Sequence, residues 1–126
     1  MALFGYYDCN EIKKGDIVLY DYAGSKTPLI KIIRAIPGDS FELVEKDSGR
    51  WNILINGEIL KNSEGNPYLI SGKRYEMLAL YERSYQSEIP EEAYLLLGNI
   101  TSGATDSTRF GFVSQRGILA KVKNNE

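Results

Sequence analysis

At 126 residues the chain has length for one hydrophobic core and too little for two ordinary ones. Fifteen basic and seventeen acidic residues give a net charge of −2, which leaves no electrostatic case for a nucleic-acid partner. With no histidine and a lone Cys9, neither a zinc site nor a Ser-His-Asp triad can be assembled, so hydrolytic chemistry must take Lys, Asp or Glu as its base. No cofactor or metal is implied. No apolar run approaches the roughly 20 residues of a membrane helix. Met1-Ala-Leu-Phe-Gly5 lacks the charged start and long apolar run of a signal peptide. The expectation is a soluble chain, which could be the exported part of an anchored protein.

The opening segment, residues 1–14, is short and carries Tyr6 and Tyr7. Gly15-Asp16 turns into a predicted strand over Ile17–Tyr20, and a polar loop over residues 23–28 is expected to close a hairpin onto a second strand, Leu29–Ile36. Pro37-Gly38 ends that strand in a turn. Phe41–Glu45 alternates apolar and acidic residues, residues 46–50 turn the chain, and Trp51–Ile55 returns to Asn56-Gly57, the strongest hairpin signature in the sequence. Residues 61–75 shift to Asn, Ser, Glu, Gly and Pro and read as a long loop or insertion. Glu76–Tyr85 fits a strand or a short helix equally well. Ala93–Leu97 reads as a buried strand, Gly98–Gly111 as an exposed polar loop, and Gly117–Val122 as the last strand before a polar tail. Short strands between turn residues predict a mainly β, single-domain protein of folded antiparallel sheets or a β-barrel, spanning residues 1–126.

Lys31 is the anomaly in this pattern. Strand alternation puts it on the face of Ile33 and Ala35, where desolvation would favour the neutral amine and suit it to general-base work. The other reading is an edge lysine whose stem covers the core while its ammonium stays in water. Local pattern leaves both open.

Four blocks then occur in order. They are Lys14-Gly15-Asp16-Ile-Val-Leu, Lys31-Ile-Ile-Arg-Ala-Ile-Pro37-Gly38-Asp39, Ile55-Asn56-Gly57-Glu58, and the run Gly98 to Gly111 containing Asp106-Ser107. Together they resemble the signal peptidase I (leader peptidase) family over roughly residues 12–122, with the lysine eight residues before Asp39. Asn62-Ser63 and Gly72-Lys73-Arg74 are similar to segments of the related conjugative-transfer peptidases. The resemblance implies a signal-peptidase-like β fold at the extracytoplasmic face of the membrane, reached through an anchor absent from this chain. It also implies a serine/lysine endopeptidase whose partner is an extended leader segment of an exported protein. Lys31 would be the general base, Asp106 and Arg109 a salt bridge bracing the last loop, Ser107 a hydroxyl near the lysine, and Asp39 a structural carboxylate.

The chain departs from the family at the nucleophile. The family's serine register falls on Tyr7, and residues 1–14 hold no serine or threonine. Ser25 is the first serine, in the loop after the first strand. Ala104 stands where many members have a serine, Asn99 replaces an aspartate, and Thr108-Arg109 displaces an arginine by one position. These departures admit two readings: a divergent peptidase whose serine lies outside this sequence, or an inactive homologue that binds peptides as a pilus or secretion assembly factor.

Overall fold

A computed structural model describes residues 1–23 and 25–123; Gly24 of the 23–28 loop and residues 124–126 of the tail lie outside the described residues. In chain order the strands are β1 (Ala2–Phe4), β2 (Ile17–Tyr20), β3 (Leu29–Ala35), β4 (Phe41–Asp47), β5 (Arg50–Ile55), β6 (Glu58–Ile59) and β7 (Leu69–Ile70). Helix α1 (Gly72–Ser84) follows, then β8 (Ala93–Leu97), the short helix α2 (Ser107–Phe110), β9 (Val113–Ser114) and β10 (Ile118–Val122). One sheet runs β1-β10-β2-β3-β8-β9, and a second is built on β4-β5-β6 with β7 also on β5. All described pairings are antiparallel. The fold is mainly β, as expected, but among the described residues neither sheet closes: the first ends at β1 and β9, so the barrel alternative is corrected to two open sheets. No helix of the described residues is long and apolar enough to cross a membrane.

The local signatures act where they were read. Asn56 and Gly57 both take positive φ, at 53° and 82°, the geometry of a two-residue turn whose twist matches its strands. The 61–75 stretch carries more structure than a loop: a Lys61–Pro67 bridge, β7 and the first residues of α1. Over residues 76–85 the helix alternative holds. Tyr75, Leu78, Ala79 and Glu82 fall on one helical face; Leu78 and Ala79 are buried, Tyr75 stacks on Trp51 at 4.1 Å, and Glu82 accepts a hydrogen bond from the Leu43 amide.

Two cores result. Phe41, Ile53, Tyr68, Leu78, Leu95 and Leu97 centre one, and Tyr7, Val18, Ile33, Leu96 and Ile118 the other. Strand β8 supplies both, Leu95 and Leu97 to the first and Tyr94 and Leu96 to the second, which explains its unbroken apolar run. A bulge in β3 between Ile33 and Ala35 sets Arg34 as one extra residue against β8. It turns Ala35 toward the first core while Ile33 stays in the second, so Lys31 and Ala35 do not share surroundings as strict alternation predicts.

Four tyrosines carry phenols held above their ordinary value near 10, each chiefly by burial: Tyr7, Tyr20, Tyr68 and Tyr94. A phenol raised in the folded state keeps its proton there after the unfolded chain has lost it. Its contribution is therefore complete below pH of about 10 and is lost as pH rises further. The urea midpoint is expected to hold from pH 7 to 9 and to fall steadily above about 10, with Tyr7→Phe falling less steeply than the parent chain. Circular dichroism melts across that range check it, and an alkaline decline identical in the two proteins would contradict the Tyr7 share.

Candidate active site

The strands bring Lys31 to the end of the second core. It pairs in register with the fully buried Val18 on β2, and the Gly15 amide and the Asp16 carbonyl extend the ladder to Ile33. On the β8 side the chain has just passed Leu97 into Gly98. The point a Cβ on Gly98 would take lies 3.4 Å from Lys31 Nζ, 3.8 Å from Ala104 Cβ and 4.0 Å from Asp106 Oδ2. The amine thus sits against Gly98, at the mouth of the closing loop. Lys31 is half-buried, and among the described residues its Nζ makes no ion pair or hydrogen bond.

The loop over residues 98–111 is not the exposed polar segment predicted. Asp106, Ser107 and Thr108 are buried, and their polarity is satisfied internally. Asp106 Oδ2 accepts from the Gly98 amide at 3.0 Å, and Oδ1 accepts from the Thr108 amide at 3.0 Å and the Thr108 hydroxyl at 2.6 Å, capping α2. Ser107 Oγ accepts from the Leu96 amide at 2.9 Å, so it pins β8 to the loop and makes no hydrogen bond to Lys31. The expected Asp106–Arg109 salt bridge does not form. The turn of α2 buries Thr108 against Asp106 and sends Arg109 to the surface.

The guanidinium that serves this loop is Arg74, from α1. Its Nη1 donates to the Ala104 carbonyl at 2.5 Å and to Thr108 Oγ1 at 2.6 Å, so its charge reaches Asp106 through one hydroxyl. Gly103, at φ 110°, lies so close under Arg74 that an added Cβ would fall 2.5 Å from its Cδ. A second brace holds Gly98 and Asn99. Tyr68 donates its hydroxyl to the Gly98 carbonyl at 2.7 Å, and Asn62 donates to the Asn99 carbonyl at 2.8 Å. Arg34 donates to Tyr68 Oη, Ser63 Oγ and Asn99 Oδ1 at 3.3, 3.0 and 3.1 Å. Sequence reasoning did not assign Arg34, Tyr68, Asn62 or Arg74 a role; the Asn62-Ser63 and Gly72-Lys73-Arg74 segments were its only hints.

Asp39 stands apart from Lys31. Its carboxylate closes the Pro37-Gly38 turn on the Ile36 amide at 3.0 Å, and ties Lys14 at 3.2 Å to Asn56 at 2.9 Å. At the serine register, Tyr7 is buried and its hydroxyl donates to Asp16 Oδ2 at 2.8 Å. Burial first, and then that bond, raise its phenol above the tyrosine range, which disfavours the phenolate that a nucleophilic role needs. Ser25 donates to the Thr27 carbonyl at 2.6 Å and lines an open cleft with Tyr22, Leu29, Thr105 and Arg109. Cys9 is exposed. What the arrangement offers is an uncommitted amine over a braced loop, beside a cleft that shares the β3 face of Lys31 at Leu29.

Residues 2–124 match the family described as signal peptidase, peptidase S26. A signal peptidase I of Bacillus caldolyticus is 27% identical over 119 residues, which are 92% of this chain and 62% of that protein, so the chain spans less than two thirds of its length. The fold is similar to the crystal structure of a signal peptidase I from Enterococcus faecalis, with a TM-score of 0.60 at 22% identity, covering 90% of this chain and 98% of that one.

Proposed function

Because the chain belongs to the signal peptidase, peptidase S26 family, we propose that it is the peptide-processing domain of a serine/lysine endopeptidase that removes leader segments from exported proteins. Lys31 acts as general base. Its amine takes the proton of a serine hydroxyl as that oxygen attacks the scissile carbonyl, and returns it to the leaving amine when the acyl-enzyme forms. Residues 1–14 hold no serine or threonine, so the attacking hydroxyl does not come from that segment. The domain works at the extracytoplasmic face of the membrane, and the substrate lies extended along the β3 side of the cleft. The observation that carries this reading is the placement of the Lys31 amine over Gly98, without an acidic partner among the described residues, where a loop braced by Arg74 and Asp106 fixes its surroundings.

One observation favours a second reading. The serine register is filled by a tyrosine whose hydroxyl is already bonded to Asp16. On that reading the domain keeps the peptide cleft and lacks the chemistry, acting as an assembly factor for a pilus or secretion apparatus. Incubating the protein with leader-derived peptides and following both by mass spectrometry and anisotropy separates the two. A single specific cut supports the peptidase, saturable binding with no product after long incubation supports the binding module, and no binding at all removes both.

A further inference from the structure

We propose that Arg109 is a specificity-determining residue, which makes the cleft beside Lys31 prefer peptides carrying a carboxylate side chain; this rests on the peptide-cleft reading above. The relay from Arg74 through Thr108 already supplies Asp106 with a cation, and the Asp106 oxygens are filled by the Gly98 amide and by the Thr108 amide and hydroxyl. Arg109 is thereby released from bracing the loop. It is exposed, and among the described residues it has no ion pair.

Its position gives that free charge a use. Arg109 is shared by two adjoining surface clefts, one of about 450 Å³ with Tyr22, Ser25, Leu29 and Thr105, the other of about 340 Å³ with Lys73, Arg74, Met77 and Thr108. The first runs up to Leu29, two residues from Lys31 and on the same face of β3. Neither cleft is lined by a carboxylate, whereas Lys73 adds a second exposed cation. An extended chain laid along both clefts therefore meets Arg109, common to the two, in surroundings complementary to an anionic side chain. A guanidinium there can hold a carboxylate through two parallel hydrogen bonds.

The test uses labelled extended peptides in which one aspartate is walked along the sequence, each paired with its asparagine counterpart, and anisotropy with the full chain. At one position the aspartate peptide is expected to bind about fivefold more tightly than its asparagine partner, as befits a solvent-accessible charge pair. The ratio should shrink in high salt and fall to about one in Arg109→Gln. A ratio near one at every position in the parent protein overturns the inference while leaving the peptide cleft standing. So does a ratio that survives Arg109→Gln, which would assign the preference to another cation such as Lys73. Failure of any peptide to bind overturns this inference together with the cleft reading.

Discussion

Lys31→Met is expected to lower peptide cleavage by about 10²–10⁴-fold while leaving the protein folded, the loss that follows removal of a general base. Methionine keeps the unbranched stem against Val18 and Gly98 and deletes only the amine. Because no described side chain pairs with that amine, its loss orphans no partner, and stability should change by no more than about 1 kcal/mol. The measurement is a rate from chromatography of the cut peptide, set beside a urea melt. An unchanged rate would remove Lys31 from the mechanism, and a chain that no longer folds would make it a structural residue. If the binding reading holds instead, the same variant should bind peptide with no product from either protein.

Asp106→Ala should cost stability on the order of 3–5 kcal/mol, more than any other single change at the site. The carboxylate is fully buried and accepts three hydrogen bonds, from the Gly98 amide and from the amide and hydroxyl of Thr108. Alanine leaves those donors unsatisfied, uncaps α2 and strands the Arg74 guanidinium without the charge it serves. At roughly 4 °C per kcal/mol for a domain of this size, the melting temperature falls by about 12–20 °C. Asp106→Asn should lie between, since an amide oxygen can still accept from Thr108 while its nitrogen meets the Gly98 amide, donor against donor. Differential scanning calorimetry of the two variants decides it. A loss below about 1 kcal/mol in the alanine variant would show that water replaces the carboxylate.

Features set by neighbours in sequence were legible in advance. Ile17–Tyr20, the Asn56-Gly57 hairpin and the Pro37-Gly38 turn depend on local torsions and alternation, and all form as read. The closing loop was misread because its residue types are those of exposed loops. Composition reports that Asp106, Ser107 and Thr108 are polar, but not that a distant helix and strand satisfy them. The Asp106–Arg109 pairing failed for the same reason. The resemblance implied that bridge, and only the turn of α2 decides which side chain faces inward. Arg74 lies 34 residues before Thr108, a separation across which no periodicity carries information. Ala35 was lost to the bulge at Arg34, whose extra residue resets the two-residue period midway along β3.

The seam between β1 and β10 sets the order in which this molecule can assemble. Ala2 pairs with Val122, and the Met1 and Lys123 backbones bond to each other, so the seam joins the two ends of the described chain. Closing so long a loop is entropically the dearest contact in the protein, and only three register pairs repay it. The local hairpins β2–β3 and β4–β5 can nucleate before it, with β8 then joining them and carrying the closing loop to Lys31. The reactive amine is thus framed by early contacts, and the chain's first strand is a late arrival that seals a core already built.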